Sequence, residues 1–377
     1  LVERGRFDPE VFADLAYGRE EAVETARATG EQFSVTGDDR TIGAGLRQTL
    51  PTGTDIELGV TQDRSASNRA PEQQAARIGL TVTQSLLRGF GPAVNLVAVR
   101  QAELETDVSR YELRGFVEVL LADTEVAYWQ HLLAARKIAI FERSLAVGRT
   151  QAEQVFERIE VGVLAPTEAA AVRSELALRE QALIDARSEL RSAQLRLARL
   201  MDLPLGAADE RSLVATSEPT LEGVALAQVL DEAAAADRLE LARRMRPELG
   251  EARLRLERNR LETVRTRNGL LPRLDLFVTL GKTGYADTFG ESFTELDERT
   301  YDFGVGISLS QAIGRSSAVG AFRASMASRE QAAAAVANLE QLVELDVHLA
   351  LAELERAHEQ IGATATTRRF QEETVRA

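Results

Sequence analysis

Arg158-Ile159-Glu160-Val161-Gly162-Val163-Leu164-Ala165-Pro166-Thr167-Glu168 is a turn between two long runs of helical sequence. Upstream of it no proline occurs after Pro92, and only Gly115 and Gly148 interrupt as glycines. A helix over Pro92 to Glu157 at about 1.5 Å per residue is ~100 Å long, more than a compact domain needs. Downstream, Val172, Leu176, Arg179, Leu183, Ala186, Leu190, Ala193, Leu197 and Leu200 alternate spacings of four and three. That 3.5-residue period is a coiled-coil seam, broken once by the charge of Arg179. Pro166 just inside a helix start and Glu168 in its first turn fit a helix N-terminus. Residues 92–201 are therefore expected to form a long helical hairpin with an exposed tip at 158–168.

On either side of the hairpin the apolar period changes to two. Val11, Ala13, Leu15 and Tyr17 alternate with more polar neighbours, and a polar loop is expected from about Gly18 to Asp39. Cleaner alternation follows in Ile42, Ala44 and Leu46, in Ile56, Leu58 and Val60, and in Ile78, Leu80 and Val82. Leu50-Pro51-Thr52-Gly53-Thr54 joins two of these strands as a hairpin. The pattern returns in Leu274, Leu276, Val278 and Leu280, then in Tyr301, Phe303, Val305, Ile307 and Leu309. Such alternation fits a soluble sheet over a core. It equally fits a membrane barrel whose apolar face meets lipid. On the strands alone the two readings stand level.

Between the two β regions, a loop runs to about Thr220 and an alanine-rich helix covers about Leu221 to Met245. Pro247 opens another helix, ending near Gly269. After Gly314 comes a second long helix, with Leu339, Val343, Val347, Ala350, Leu354, Ala357 and Ile361 on one stripe.

The chain also repeats itself. Gly79-Leu80-Thr81-Val82-Thr83-Gln84-Ser85-Leu86-Leu87-Arg88 matches Gly306-Ile307-Ser308-Leu309-Ser310-Gln311-Ala312-Ile313-Gly314-Arg315 at an offset of 227. Both copies are a strand that becomes a long helix. Helices 166–201 and 247–269 together rise ~89 Å, close to the first descent, so two stacked shorter helices are expected to retrace one long one. The segments read as a first β unit (1–91), the hairpin (92–201), a mid-height equatorial belt (202–246), an ascending helix (247–269), a second β unit (270–314) and a second descending helix (315–377). The chain is expected to be trimmed at both ends, which leaves a signal peptide or lipid anchor upstream an open matter. Two or three strands per repeat do not close a barrel, and an open edge is untenable in lipid. Oligomerisation around an axis removes both difficulties.

Composition narrows the functional classes. The 377 residues carry a net charge of −14, which argues against a nucleic-acid partner. The absence of cysteine excludes thiolate chemistry and cysteine-based zinc sites. His131, His348 and His358 make no metal set, and Glu355-Arg356-Ala357-His358 lacks the second copy a di-iron bundle requires. Gly43-x-Gly45 and Gly304-x-Gly306 lie inside alternating strands, without phosphate-loop geometry. Tyr128-Trp129 reads as packing. Charged faces such as Arg187-Ser188-Glu189 and Glu251-Ala252-Arg253 read as solvated surface or interchain pairing. No nucleophile, cofactor box or metal site emerges, and the chain is expected not to be an enzyme.

The sequence resembles the TolC-like family of outer-membrane efflux and secretion channels along essentially its whole length. The resemblance is carried by Thr83-Gln84-Ser85-Leu86-Leu87-Arg88-Gly89-Phe90-Gly91 and its weaker copy Ser310-Gln311-Ala312-Ile313-Gly314. Val126-Ala127-Tyr128-Trp129, Arg246-Pro247-Glu248-Leu249 and Leu271-Pro272-Arg273-Leu274 add to it. It implies an α+β fold, mainly long coiled-coil hairpins, with strands shared in an oligomeric transmembrane β-barrel. It also implies a homotrimer, a periplasmic adaptor protein, an inner-membrane transporter, outer-membrane lipid and no cofactor. Family tips dock the adaptor through a Val-Gly-Leu-type turn, which places docking on Val161, Gly162, Val163, Leu164 and Thr167. The expected lipid-facing residues are Ile42, Leu46, Ile56, Leu58, Val60, Ile78, Leu80, Val82, Leu276, Val278, Tyr301, Phe303, Val305 and Ile307. Pro166 departs from the family pattern, and the enlarged first β unit leaves the strand number open. A soluble elongated coiled-coil scaffold or periplasmic adaptor, its strands forming a β-sandwich, is the alternative from a different class.

Overall fold

The computed structural model describes residues 2–25, 27, 30–204, 213–219, 232–297 and 300–376. Six strands form one antiparallel sheet in chain order: β1 (Glu10–Thr25), β2 (Gln32–Leu50), β3 (Thr54–Ser67), β4 (Gln73–Ser85), β5 (Arg273–Ala286) and β6 (Tyr301–Ser310). The helices are α1 (Pro92–Asn95), α2 (Val97–Glu160), α3 (Glu168–Leu200), α4 (Glu232–Met245), α5 (Pro247–Asn268), α6 (Phe289–Thr294) and α7 (Ser316–Arg376). The section from α1 to α5 is thus inserted between two neighbouring strands, β4 and β5. Two compact units divide the chain, residues 1–110 with 241–350 and residues 111–240 with 351–377. Much of the belt, 202–246, lies outside the described residues, as does the first part of its expected helix.

The first unit holds the sheet. Directly opposed residues of an antiparallel pair share a face, so register carries one row across the sheet: Val11, Leu46, Leu58, Leu80, Leu280 and Phe303. Every member is apolar. The row one residue over is Phe12, Gly45, Gly59, Gly79, Gly281 and Asp302, on the opposite face. A Cβ on Gly45 would stand 2.7 Å from the Phe12 ring, so the missing side chain makes the room the ring occupies.

The polar loop expected over Gly18 to Asp39 is a hairpin instead, since β1 runs on to Thr25 and β2 begins at Gln32. Polar pairs hold it. The Ser34 hydroxyl donates to the Glu21 carboxylate across it at 3.1 Å, and Arg64 on β3 anchors Asp38 of β2 at 3.0 Å. Period-two hydropathy vanishes where both faces of a ladder are wet, yet the backbone bonds persist.

A tight junction ends the sheet where the helices begin. In the turn between β2 and β3, Gly53 has φ +84°, and a Cβ there would stand 2.2 Å from the Gly89 carbonyl oxygen. Gly91 N–H donates to Thr52 O at 3.0 Å, and Asn95 Nδ2 donates to Pro51 O at 3.0 Å and Gly89 O at 2.8 Å. From the other side, Asn268 Oδ1 accepts from Gly89 N–H at 2.8 Å. Beyond the junction α5 lies antiparallel to two helices. It meets the start of α2 through Arg258–Glu105 at 3.1 Å, and the first half of α7 through Arg253–Glu340 at 2.9 Å. Val97, Val108 and Leu249 are among the most deeply buried residues of this unit.

In the second unit α2 and α3 pair antiparallel through Lys137–Glu189 at 2.8 Å, Glu142–Arg187 at 3.1 Å and Arg149–Glu180 at 3.0 Å. Burial along α3 follows the 3.5-residue seam: Leu183, Ala186 and Leu197 are buried, and the rest of the seam is half-buried. Arg179 keeps its place because α2 has a glycine opposite. A Cβ on Gly148 would meet Arg179 Cδ at 2.9 Å, and the guanidinium donates to Ser144 O at 2.9 Å. A charge in a seam is tolerated when it leaves by a carbonyl.

Gly53→Ala is expected to lower the thermal midpoint of the folded protein. The left-handed backbone alone costs a β-carbon about 1–2 kcal/mol, and the contact with Gly89 adds to it. Circular dichroism melts in detergent measure the change; an unaltered midpoint would contradict the junction geometry.

Candidate functional site

The tip begins where α2 runs out of carbonyl partners. Gly162 takes φ +78°, as the turn reading expects. Its N–H donates to Ile159 O at 3.0 Å, and Val163 N–H donates to Arg158 O at 2.8 Å. Those two bonds are the Schellman pattern, closing the helix with a left-handed residue. α3 starts later than expected: Pro166 sits in the turn before it, Thr167 is its N-cap and Glu168 its first residue. The turn there is tightened by Glu168 N–H donating to Ala165 O at 3.0 Å, so Pro166 precedes the helix rather than opening it. Val161 and Val163 are 74% and 71% exposed, Leu164 is half-buried, and Thr167 is exposed. The tip therefore shows two aliphatic side chains flanking a rigid glycine.

All the expected lipid-facing residues lie on one face of the sheet. Register sets Ile42 in line with Gln62 on β3. It sets Leu46 against Leu58, Ile56 against Val82, Val60 against Ile78, and Val82 in turn against Val278. Leu276 stands against Ile307, Val278 against Val305, and Lys282 against Tyr301. The opposite face carries Glu10, Arg47, Asp55, Glu57, Thr81 and Asp302 among others, with Arg47 bridging to Glu10 at 2.9 Å and Arg77 to Asp302 at 2.6 Å. Tyr301, Phe303, Val305 and Ile307 on β6 are exposed, as are Val11, Leu15 and Tyr17 on β1. Both edge strands thus present apolar side chains beside backbone that no further strand pairs among the described residues.

Two features escaped the sequence reading. The first is α6, whose connection folds over the apolar face. Phe293 and Leu296 line a groove there with Leu58, Ile78, Leu80 and Leu280, and Gly284 admits the Ser292 backbone. The Phe289–Phe293 spacing of four was its signal, and the rings stand 5.3 Å apart. The second is a stripe on α2, Val119, Val126, Leu133, Ile140 and Val147, all exposed at intervals of seven. It faces away from the buried seam residues and reads as a second coiled-coil surface without an intrachain partner among the described residues.

The residues set aside for chemistry have other employment. Tyr128 and Trp129 make an edge-to-face pair at 5.2 Å, and the Tyr128 hydroxyl accepts from Ser217 N–H at 2.8 Å. Gly43 lies against the Asp14 carboxylate and Gly306 against the Phe277 ring, both within strands. The charged faces make pairs between helices of one chain, as Arg187 and Arg253 show. His131 is 2% exposed, and neither ring nitrogen has a hydrogen-bond partner among the described residues. Burial pushes its pKa below the ordinary value. Among the described residues no cluster of His, Cys, Asp or Glu could hold a metal ion, and no helix is long and apolar enough to cross a membrane.

Because burial disfavours the charged imidazole of His131 in the folded protein, the unfolded chain binds that proton more tightly. Stability is expected to be full above the ordinary histidine value, about 6.5, and to fall as pH drops below it. His131→Leu is expected to flatten that fall and to cost little at pH 8, read from melts between pH 5 and 8. Unchanged pH dependence in the variant would contradict the assignment.

The architecture matches solved outer-membrane channels. The CmeC outer membrane channel of Campylobacter jejuni matches at TM-score 0.66 and 13% identity, over 98% of this chain and 68% of that one. The outer-membrane channel OprN matches at TM-score 0.62 and 16% identity, over 98% and 69%. The MtrE outer membrane channel of Neisseria gonorrhoeae matches at 0.58 and 15%, over 100% and 71%. No protein-family model and no curated protein sequence matches the chain. With its sheet, inserted helical hairpin and second long helix, the chain has the fold of the TolC-like outer-membrane channels.

Proposed function

We propose that this chain is the outer-membrane channel of a tripartite efflux or type I secretion system, a passive conduit with no chemistry of its own. The observation that carries the proposal is the apolar face, continuous through six strands and bounded by two open edges. In water that face would need a second layer, and the short α6 covers only part of it. In an outer membrane it meets lipid, the polar face lines a wet lumen, and neighbouring copies take the edges. A homotrimer sharing one barrel is the assembly this reading adopts, with the helices forming a periplasmic tunnel. The exposed stripe on α2 supplies the helices with a surface for a neighbouring copy.

The tip of α2 and α3 is the adaptor-docking site in this reading. Val161, Gly162, Val163, Leu164 and Thr167 offer a small, rigid apolar knob that a helical hairpin of the adaptor covers. An inner-membrane transporter then delivers cargo through the adaptor.

The protein is expected to stay in the membrane fraction until detergent is added, and to run as an SDS-sensitive trimer. Recovery as a buffer-soluble monomer would support the scaffold alternative and end this reading. Val161→Asp with Val163→Asp is expected to abolish adaptor pull-down and export while leaving the trimer and its circular dichroism intact. Full adaptor binding by that variant would move docking away from the tip.

A further inference from the structure

The internal repeat fixes how the two open edges of the sheet should meet, an inference that rests on the shared-barrel reading above. Where β4 becomes helix, Leu86 N–H donates to Leu274 O at 2.7 Å and Arg88 N–H donates to Pro272 O at 3.2 Å. One acceptor is the second residue of β5 and the other is Pro272, directly before the strand. β1 likewise starts directly after a proline, Pro9. In the repeat, Ile313 and Arg315 stand where Leu86 and Arg88 stand in the first copy. Yet Ile313 is 103% exposed, and among the described residues no backbone acceptor faces the N–H of Ile313 or Arg315. One junction is closed, and the two halves of a second lie at opposite edges of the same sheet.

We propose that β1 of a second copy closes it, in the register that β4 and β5 already use. Carrying β4 onto β6 by the repeat, and β5 onto β1 by the two prolines, gives the pairs. Val82–Val278 becomes Leu309 against Leu15, and Leu80–Leu280 becomes Ile307 against Tyr17. Gly79–Gly281 becomes Gly306 against Gly18, and Ile78–Lys282 becomes Val305 against Arg19. These four pairs keep the character of their parents: aliphatic or aromatic on the apolar face, glycine with glycine on the other, aliphatic with a cation. Ile313 N–H then donates to the carbonyl of Val11, and Arg315 N–H to that of Pro9, both in the second copy. A slip of one residue would turn every side chain to the wrong face. A slip of two would keep the faces but set Gly306 against Ala16 or Glu20, breaking the glycine pair, and would hand the two linker N–H groups to other carbonyls.

Cysteine cross-linking tests the register, because the chain has no cysteine of its own. Ser308 and Ala16 derive from Thr81–Thr279, a pair lying between the hydrogen-bonded pairs of the ladder. Cα atoms at such a position are ~4.5 Å apart, within disulfide reach, whereas a neighbour two residues along is roughly 7–8 Å away. Ser308→Cys with Ala16→Cys, oxidised in intact membranes, is expected to give covalently linked dimers and trimers. The yield should be roughly tenfold above Ser308→Cys with Asp14→Cys or with Gly18→Cys. Best linkage in either control overturns the register while leaving the shared sheet in place. No linked species from any of the three, with only monomer on a native gel, overturns the shared sheet itself.

Discussion

A sheet in hydrocarbon cannot leave an edge unpaired, since each unsatisfied backbone group there costs several kcal/mol. This chain has an apolar sheet face and two bare edges. It also lacks, among the described residues, a second layer broad enough to cover the face. Everything proposed about its role follows from that mismatch. The helices obey a related constraint. A coiled coil needs only one seam for a hairpin, and α2 carries two, one against α3 and one turned outward.

The junction at Gly53, Gly89 and Asn268 shows how the fold joins its two kinds of structure. Strands and helices meet through a short linker gripped on both sides by hydrogen bonds, so the sheet sets where α1 begins and where α5 ends. The second linker, around Ile313, has the same sequence pattern without the grip among the described residues. In the proposed assembly a second copy supplies that grip.

Much of this was legible in the residues. Period-two alternation located the apolar face of five strands, and the 3.5 spacing on α3 named the residues that burial later picked out, Arg179 included. The Gly162 turn was readable because a left-handed residue is what a closing helix demands. Other elements left no trace. The outer halves of β1 and β2 are mostly polar, with Val23 on one face and Phe33 and Val35 on the other, so their ladder of backbone bonds gives little hydropathy signal. Gly148 read only as an interruption, because its purpose depends on Arg179 lying across the partner helix. The stripe from Val119 to Val147 was written at a plain spacing of seven, but a long helix offers several such stripes and only packing says which is left over.

The central claim is that the face carrying Leu46, Leu58 and Leu80 looks at lipid while Glu57 and Thr81 look at water. Spin labels placed singly at Leu58 and at its neighbour Glu57, in protein reconstituted into bilayers, measure this directly. The account predicts that the label at position 58 relaxes with dissolved oxygen and is shielded from a water-soluble nickel chelate, and that position 57 shows the reverse. Equal shielding of position 58 from both reagents would mean a private protein core beneath that face, and would contradict the channel.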